Sequence, residues 1–596
     1  MGRPPLRPVW NPGGESVGDP HFSSMTHTHD DPSESWIDET LRTWFAIAPV
    51  DGSFVGLHQH DQALPDLSPQ GVADARAELQ GAVARRPARP PDENSLRALD
   101  EELMADALAI RLWEYETRWL LGNPSVHAGE AVFSLMSLLL PQHGGGEFER
   151  LEALHARLTA LPTFLDQATQ QLDRAPLAWT ERAVRECRGA HAFLSHGLAH
   201  VPLDNVEAVS GAVSAIETFE DVLTNTLSNR TTDRIGCGAE GLALLIERGH
   251  RLDRSAEEIA AYAREEMART QGWVREHARH VGLQRSDDLP RALGQFHPES
   301  DDYYDAFGDV WRGMKALAGA RNLLTWPDFP IRYAPRPEWS RAAAPDLYFL
   351  CYRSPAAYHR PDVHTYMVPT LPDPETEDLQ AFLAANNDSV IKLNHVVHHG
   401  GIGHHVQNWH AFRSPLRIGR VAAVDCSSRV AMFSSGTMAE GWACYATDLM
   451  AEAGGLTELE QFAEHAGRIR MCARAIVDVG IHLGDMDLEQ AAAFYVEHAG
   501  MSAAAAWGEA VKNSMFPGAA LMYLIGTDLI HELRAELIAI QGDDFDLCTF
   551  HDAFLSWGSI PVAVIGREMR RLARAGLPLG AHDTVSMKPP DEGACP

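Results

Sequence analysis

The densest chemistry in this chain lies in 394–407, NHVVHHGGIGHHVQ. His395, His398, His399, His404, His405 and His410 fall within sixteen positions, where 29 His spread over 596 residues would supply fewer than one. Imidazole titrates near neutrality and is the commonest metal ligand, so such clustering points to a metal site. About forty residues on, MAEGWACYATDL (438–449) carries Glu440 in an apolar, helix-compatible setting. Histidines followed at a distance by a lone glutamate follow the plan of a metal centre. As an alternative, Glu440 is a helix N-terminal acid complementing the macrodipole.

The stretch HHGGIGHHVQ resembles the HExxPGHHxQ motif of the domain of unknown function 885 (DUF885) family, zinc-peptidase-like proteins. Further landmarks match in order: GLHQHDQALPDLS, AEGWACYA, ARAIVDVGIH, FPGAALMYLIG with LR after it, and FHDAFLSWGSIPV. They run from about residue 36 to residue 570. The resemblance implies a mainly α, large helical, thermolysin-like metalloenzyme fold with a deep cleft, in which two His and one Glu hold zinc. His398 matches the first motif histidine, His404 and His405 the closing pair, and Glu440 the glutamate of the family's EGWA. In an unbroken helix His398 would face His405, roughly 10 Å along the axis. Gly400, Gly401 and Gly403 oppose an unbroken helix. A bend brings in His404, so the expected ligands are His398, His404 and Glu440, with His405 close by.

Two departures from the motif bear on activity. His399 stands where the family carries glutamate, and Ile402 where it carries proline. In zinc hydrolases of this plan that glutamate activates the attacking water and shuttles its proton. His399 is therefore expected as the general base or as a further ligand. His395 and His399 sit four apart, the spacing by which one helix face grips a metal. A histidine-rich site with one carboxylate also suits iron, manganese or copper.

Around this core, Arg470, Arg474, Asp478 and His482 recur every four residues and share one helix face. The resemblance points Asp478 toward substrate binding and His482 toward a catalytic role, with a structural row as the alternative. Tyr523, in MYLIG, matches a family tyrosine that would stabilise a developing oxyanion. Arg534 is the candidate for a substrate carboxylate, with a salt bridge as the alternative. Upstream of Pro517 the family's basic–aromatic pair is replaced by Lys512 and Asn513. Cys444, one turn after Glu440, reads as a small core residue. His58, His60, Asp61 and Asp66 read as ordering a turn.

The elements that must position these groups are helical. Apolar spacing predicts helices from 34 onward and over 95–121, 126–140, 148–173, 177–198, 203–228 and 254–280. More follow at 388–411, 437–452, 457–483, 487–499, 503–513, 517–540, 548–556 and 559–573, with Pro517 in a first turn. Strand patterns are confined to 348–352 and 364–371, a minor β ribbon. The organisation expected is a disordered tail over 1–35, a scaffold lobe over 36–340, a metal-site lobe over 341–575 and a C-terminal tail over 576–596.

Lys+Arg 50 against Asp+Glu 82 gives a net charge of −32, which argues against nucleic acid or an anionic membrane as partner. Eight scattered cysteines without a CxxC pair make a disulfide framework or thiolate zinc knot unexpected. No apolar run is long enough to span a membrane. The N-terminal MGRPPLRPVW lacks a signal-peptide core, and Met25 is an alternative start. The expected home is the cytoplasm. No Walker loop, GxSxG elbow or GxGxxG after a strand appears.

Together these readings predict a metal-dependent hydrolase of the peptidase-like class, with one divalent ion, zinc first. Its substrate would be an amide or peptide-like bond in a small or modified amino acid. A repurposed metalloenzyme with redox, lyase or tailoring chemistry is the alternative, motivated by His399. A non-catalytic relic that binds metal or a partner is the third.

Overall fold

The computed structural model describes residues 35–88, 95–203, 205–285, 288–347, 354–373, 378–422, 424 and 436–581. Among these the chain is mainly helical, with twenty-three α-helices and a single two-stranded sheet. Most predicted helices are present within a turn at each end. Where they begin, local chemistry decides. The helix Glu458–Leu483 starts at Thr457, whose hydroxyl accepts from Glu460 N–H while the Glu460 carboxylate accepts from Thr457 N–H. This reciprocal box satisfies two amide donors that the helix cannot pair internally.

Among the described residues two long helices escaped the apolar pattern, as did six short ones, each of seven residues or fewer. Pro69–Ala84 buries only Leu79 and Ala82, so its sequence carries little amphipathic signal. Tyr303–Ala320 packs its aromatic residues against the sheet and the histidine segment. The predicted helix over 517–540 begins later, at Met522. The preceding stretch is a turn whose Gly518 and Leu521 amides donate to the Asp478 carboxylate at 3.0 and 3.1 Å, so Pro517 opens a turn and not a helix.

The ribbon is a parallel pair, Ile331–Pro335 beside His364–Val368, with Ile331 opposite His364. Its second strand was expected, and its first was not. The expected strand over 348–352 lies outside the described residues, as do 1–34 and 582–596 of the expected tails. Residues 577–581 do not behave as a tail. Leu579 and Ala581 are buried, Trp557 Nε1–H donates to Leu579 O, and Ala581 N–H donates to Ser556 Oγ.

One apolar cluster takes residues from Trp36 to Ala581, and a second from Trp119 to Ile525. Of the first two long helices after the histidines, Gly436–Glu452 packs into the first cluster and Glu458–Leu483 into the second. Gly436–Glu452 is buried along nearly its whole length, and Glu458–Leu483 follows it closely in sequence. No helix of the described residues is long and apolar enough to cross a membrane. The five described cysteines are unbridged.

Candidate metal centre

The histidine stretch folds as two helical pieces. Val390–Gly400 is a π-helix, and His404–Ala411 is an α-helix that begins after a three-residue break. Lys392 anchors the first piece to Glu460 at 2.8 Å. The break is tight: a Cβ on Gly403 would overlap the His398 carbonyl, so only glycine lets the chain recross there. Ile402, in the proline position of the motif, is fully buried, and its carbonyl accepts from Trp442 Nε1 at 2.9 Å. Trp442 lies two residues past Glu440, so this bond ties the break to the glutamate's own helix.

The bend turns His404 toward His398, their rings 4.9 Å apart and near-perpendicular. His405 turns the other way. It stacks flat on Phe329 at 4.7 Å and donates from Nε2 to Phe329 O at 2.7 Å. His395 also leaves the cluster, meeting Tyr366 Oη through Nδ1 at 2.8 Å and packing against Phe307. The four-residue spacing of His395 and His399 therefore does not make a grip on one ion.

Ligand atoms of His398, His399 and His404 all lie within 4.8 Å of one another. Glu440 Oε2 stands 3.3 Å from His398 Nε2 and 3.7 Å from His404 Nε2. It is buried, and although the imidazoles are close, neither is aligned to hydrogen-bond with it. Such a convergence of imidazole nitrogens and a carboxylate oxygen on one point has the geometry of a metal-ligand set.

Outer partners set the ring tautomers. His404 Nδ1–H donates to Gln407 Oε1 at 3.1 Å, and Gln407 is held in turn by its Nε2–H to Ser559 Oγ at 3.0 Å. His399 Nδ1–H donates to Asn394 O at 2.7 Å. In each ring the lone pair is thereby left on Nε2, as a metal ligand needs.

Burial pushes the His398 and His399 imidazoles down from their ordinary range, the second strongly. Burial opposes ionisation of Glu440, but the His398 and His404 rings beside it overcome that and hold its carboxyl well below the usual range. Neutral imidazoles around an ionised carboxylate are the protonation states in which these groups bind metals. The residues present fit a divalent ion.

The other expected site residues fall into two groups. Tyr523 lies under the Arg474 guanidinium, 4.6 Å from its ring centre. Arg474 pairs with Glu509 at 2.8 Å and adds positive potential at His398. Lys512 shares Glu509 at 2.8 Å, which accounts for its place beside this row. Cys444 is buried and its thiol is raised well above its ordinary range, as expected of a core residue.

Asp478, His482 and Arg534 have their polar atoms committed elsewhere. Fully buried Asp478 accepts the Gly518 and Leu521 amides. His482 Nε2–H donates to Asn513 O at 3.0 Å and its Nδ1 accepts Cys237 N–H at 3.3 Å. Both hold backbone in place, and neither offers a group to a substrate or to the histidine cluster. Arg534 pairs with Glu452 at 2.8 Å and donates to Tyr445 Oη at 3.2 Å. Glu452 is twelve residues past Glu440 on one helix, ~18 Å along its axis, so the expected carboxylate clamp is a helix-to-helix tie instead.

Three partners were missed at the sequence level. Gln407 had a signal, three residues after His404 on the same helix face. Ser559 and the Asn394 carbonyl had none, because their roles depend on tertiary approach and on the π-helical pitch.

The family model for "Bacterial protein of unknown function (DUF885)" matches residues 49–569. That is most of the chain, which belongs to this family. Two solved structures share its fold. One, described as a putative lipoprotein of unknown function from Shewanella oneidensis, is 21% identical with a TM-score of 0.68, covering 90% of this chain and 99% of that one. The other, a putative lipoprotein from Colwellia psychrerythraea, is 18% identical with a TM-score of 0.70, covering 91% and 98%. None of the curated proteins matches.

Proposed function

We propose that this DUF885 chain is a metal-dependent hydrolase of the peptidase-like class, with a thermolysin-like arrangement around one divalent ion. Its substrate would be an amide or peptide-like bond in a small or modified amino acid. The observation that carries this reading is Glu440 Oε2, buried without a hydrogen bond between His398 Nε2 and His404 Nε2. These three residues would hold the ion, zinc first by its preference for imidazole and carboxylate.

When bound, the ion would supply Lewis acidity for the scissile carbonyl and for the attacking water. The chain's own residues supply the rest. His399, with Nδ1 committed to Asn394 O, presents Nε2 as the proton acceptor. Gln407 keeps His404 in its ligand tautomer. Arg474 lies over Tyr523 and adds positive potential at His398, where it would favour negative charge developing on a substrate bound beside that ring.

A second reading has one observation behind it. His399 shares the 4.8 Å cluster with His398 and His404, so it also suits the role of a third imidazole ligand. Three imidazoles and a carboxylate favour iron, manganese or copper and non-hydrolytic tailoring chemistry. The description of both solved relatives as putative lipoproteins favours a location outside the cytoplasm over the cytosolic expectation.

Elemental analysis of untagged protein tests the centre. One zinc fewer in both His398→Ala and Glu440→Ala than in wild type supports the hydrolase and directs assays to amides. One iron, manganese or copper moves the choice to tailoring chemistry. No metal under any loading condition leaves a relic and sinks both catalytic readings.

A further inference from the structure

A second set of donors converges outside this centre. The turn His58–His60 and the residue after it supply His58 and Asp61, the turn Pro141–His143 supplies His143, and His359 arrives from the stretch before the strand His364–Val368. His58 Nδ1 and His143 Nε2 each lie 3.0 Å from the same oxygen, Asp61 Oδ2. The three ligand atoms all fall within 4.8 Å of one another.

Two features set this apart from a turn ordered by hydrogen bonds. His143 is 3% exposed, and its Nε2 approaches Asp61 Oδ2 at 3.0 Å without the alignment of a good hydrogen bond. The same signature marks Glu440 in the first centre. Behind His58, its Nε2 meets His359 Nδ1 at 2.6 Å, an outer contact of the kind that orients ligand imidazoles. The supporting loop is rigid: fully buried Arg157 donates to His60 O at 3.1 Å and to Ser53 Oγ at 2.6 Å.

We propose that His58, Asp61 and His143 form a second binding site for a divalent transition-metal ion, with His359 as the positioning residue behind His58. Two imidazole nitrogens and one carboxylate oxygen are a ligand set zinc accepts, with a fourth position for water. The ion joins segments about eighty residues apart in sequence, so its first effect is to stabilise the fold. One contact must give way on loading. Gly145 N–H points at His143 Nδ1 at 3.2 Å, and binding through Nε2 places the ring proton on Nδ1, so the 144–146 turn moves off.

The test uses untagged full-length His398→Ala, which disables the first centre, stripped with chelator and titrated with zinc(II) and cobalt(II). The expected result is one equivalent bound, a visible cobalt spectrum and a zinc-dependent rise in melting temperature. Adding Asp61→Asn or His58→Ala abolishes all three, while adding His359→Ala weakens affinity ~10–100-fold. Circular dichroism confirms that each variant is folded, and half-exposed His58 is the substitution best tolerated. The proposal is overturned if stripped His398→Ala protein takes up no metal, or if folded Asp61→Asn and His58→Ala variants bind as the parent does. Because the first centre is absent from the parent, neither result depends on its assignment.

Discussion

Gly441 and Gly526 sit backbone to backbone where the helix Gly436–Glu452 crosses the helix Met522–Gln541. A Cβ on Gly441 would come within 2.5 Å of the Gly526 carbonyl carbon, and one on Gly526 would collide with Thr437 O. Glu440 is the residue before Gly441, and Tyr523 lies one turn before Gly526. The crossing therefore sets how far the carboxylate ligand stands from the tyrosine and from Arg474 above it. Gly526→Ala is expected to destabilise the protein by about 1–3 kcal/mol through overpacking. It should also lower metal affinity with every ligand still in place. Denaturant melts read alongside zinc titration would check both effects, and an unchanged affinity would detach the crossing from the site.

The two closing histidines are expected to separate cleanly. His404→Ala should lose the metal, because its Nε2 faces Glu440 and its Nδ1 is held by Gln407. His405→Ala should keep the metal but lose stability by about 2–4 kcal/mol, since a buried ring stacked on Phe329 leaves a cavity and an unpaired carbonyl. Metal content and thermal melting of the two variants decide it. Metal loss in the His405 variant with His404→Ala unaffected would reverse the assignment.

His399→Ala separates the two readings of the site. With His399 as the proton acceptor, the variant should keep its metal and lose turnover, whereas loss of a third ligand would weaken metal binding at least tenfold. A pure base would leave affinity unchanged and slow only turnover. His399→Glu, which restores the motif's glutamate, separates the roles further, with hydrolysis of amide substrates as the gain to look for.

Arg534→Ala is expected to be nearly silent. Its pair with Glu452 is part-exposed, 21% and 46% for the two side chains, and such pairs contribute about 0–1 kcal/mol. Metal content and substrate affinity should be unchanged. A rise in KM would return Arg534 to the substrate-binding list.

Stability should fall in mild acid. His127, His250, His482 and His551 are buried, and burial brings each down to about 4, partly countered by the backbone carbonyl each ring meets. The folded value is below the unfolded one near 6.5, so their contribution is full above pH 6.5 and is lost as pH falls toward 4. Each costs ~2 kcal/mol between pH 6.5 and 5. His250→Gln, whose amide can still donate to Gly518 O, should flatten the curve by about one proton. An identical pH profile for wild type and variant would show that His250 does not carry this dependence.

The sequence by itself determined the helical class, because apolar residues at three- and four-residue spacing fixed most helices locally. It also marked the histidine segment and Glu440, since six imidazoles in sixteen positions stand out without any structure. What it left open was direction. The choice between His404 and His405 rests on a break at Gly403, whose backbone recrosses His398. Asp478, His482 and Arg534 shared the right faces, but only their partners across the core showed that they hold backbone or another helix. His58 and Asp61 read as a turn because His143 and His359 are distant in sequence. Periodicity reports which side of an element is buried. Where a buried side chain ends, and what it meets there, is decided by tertiary packing alone.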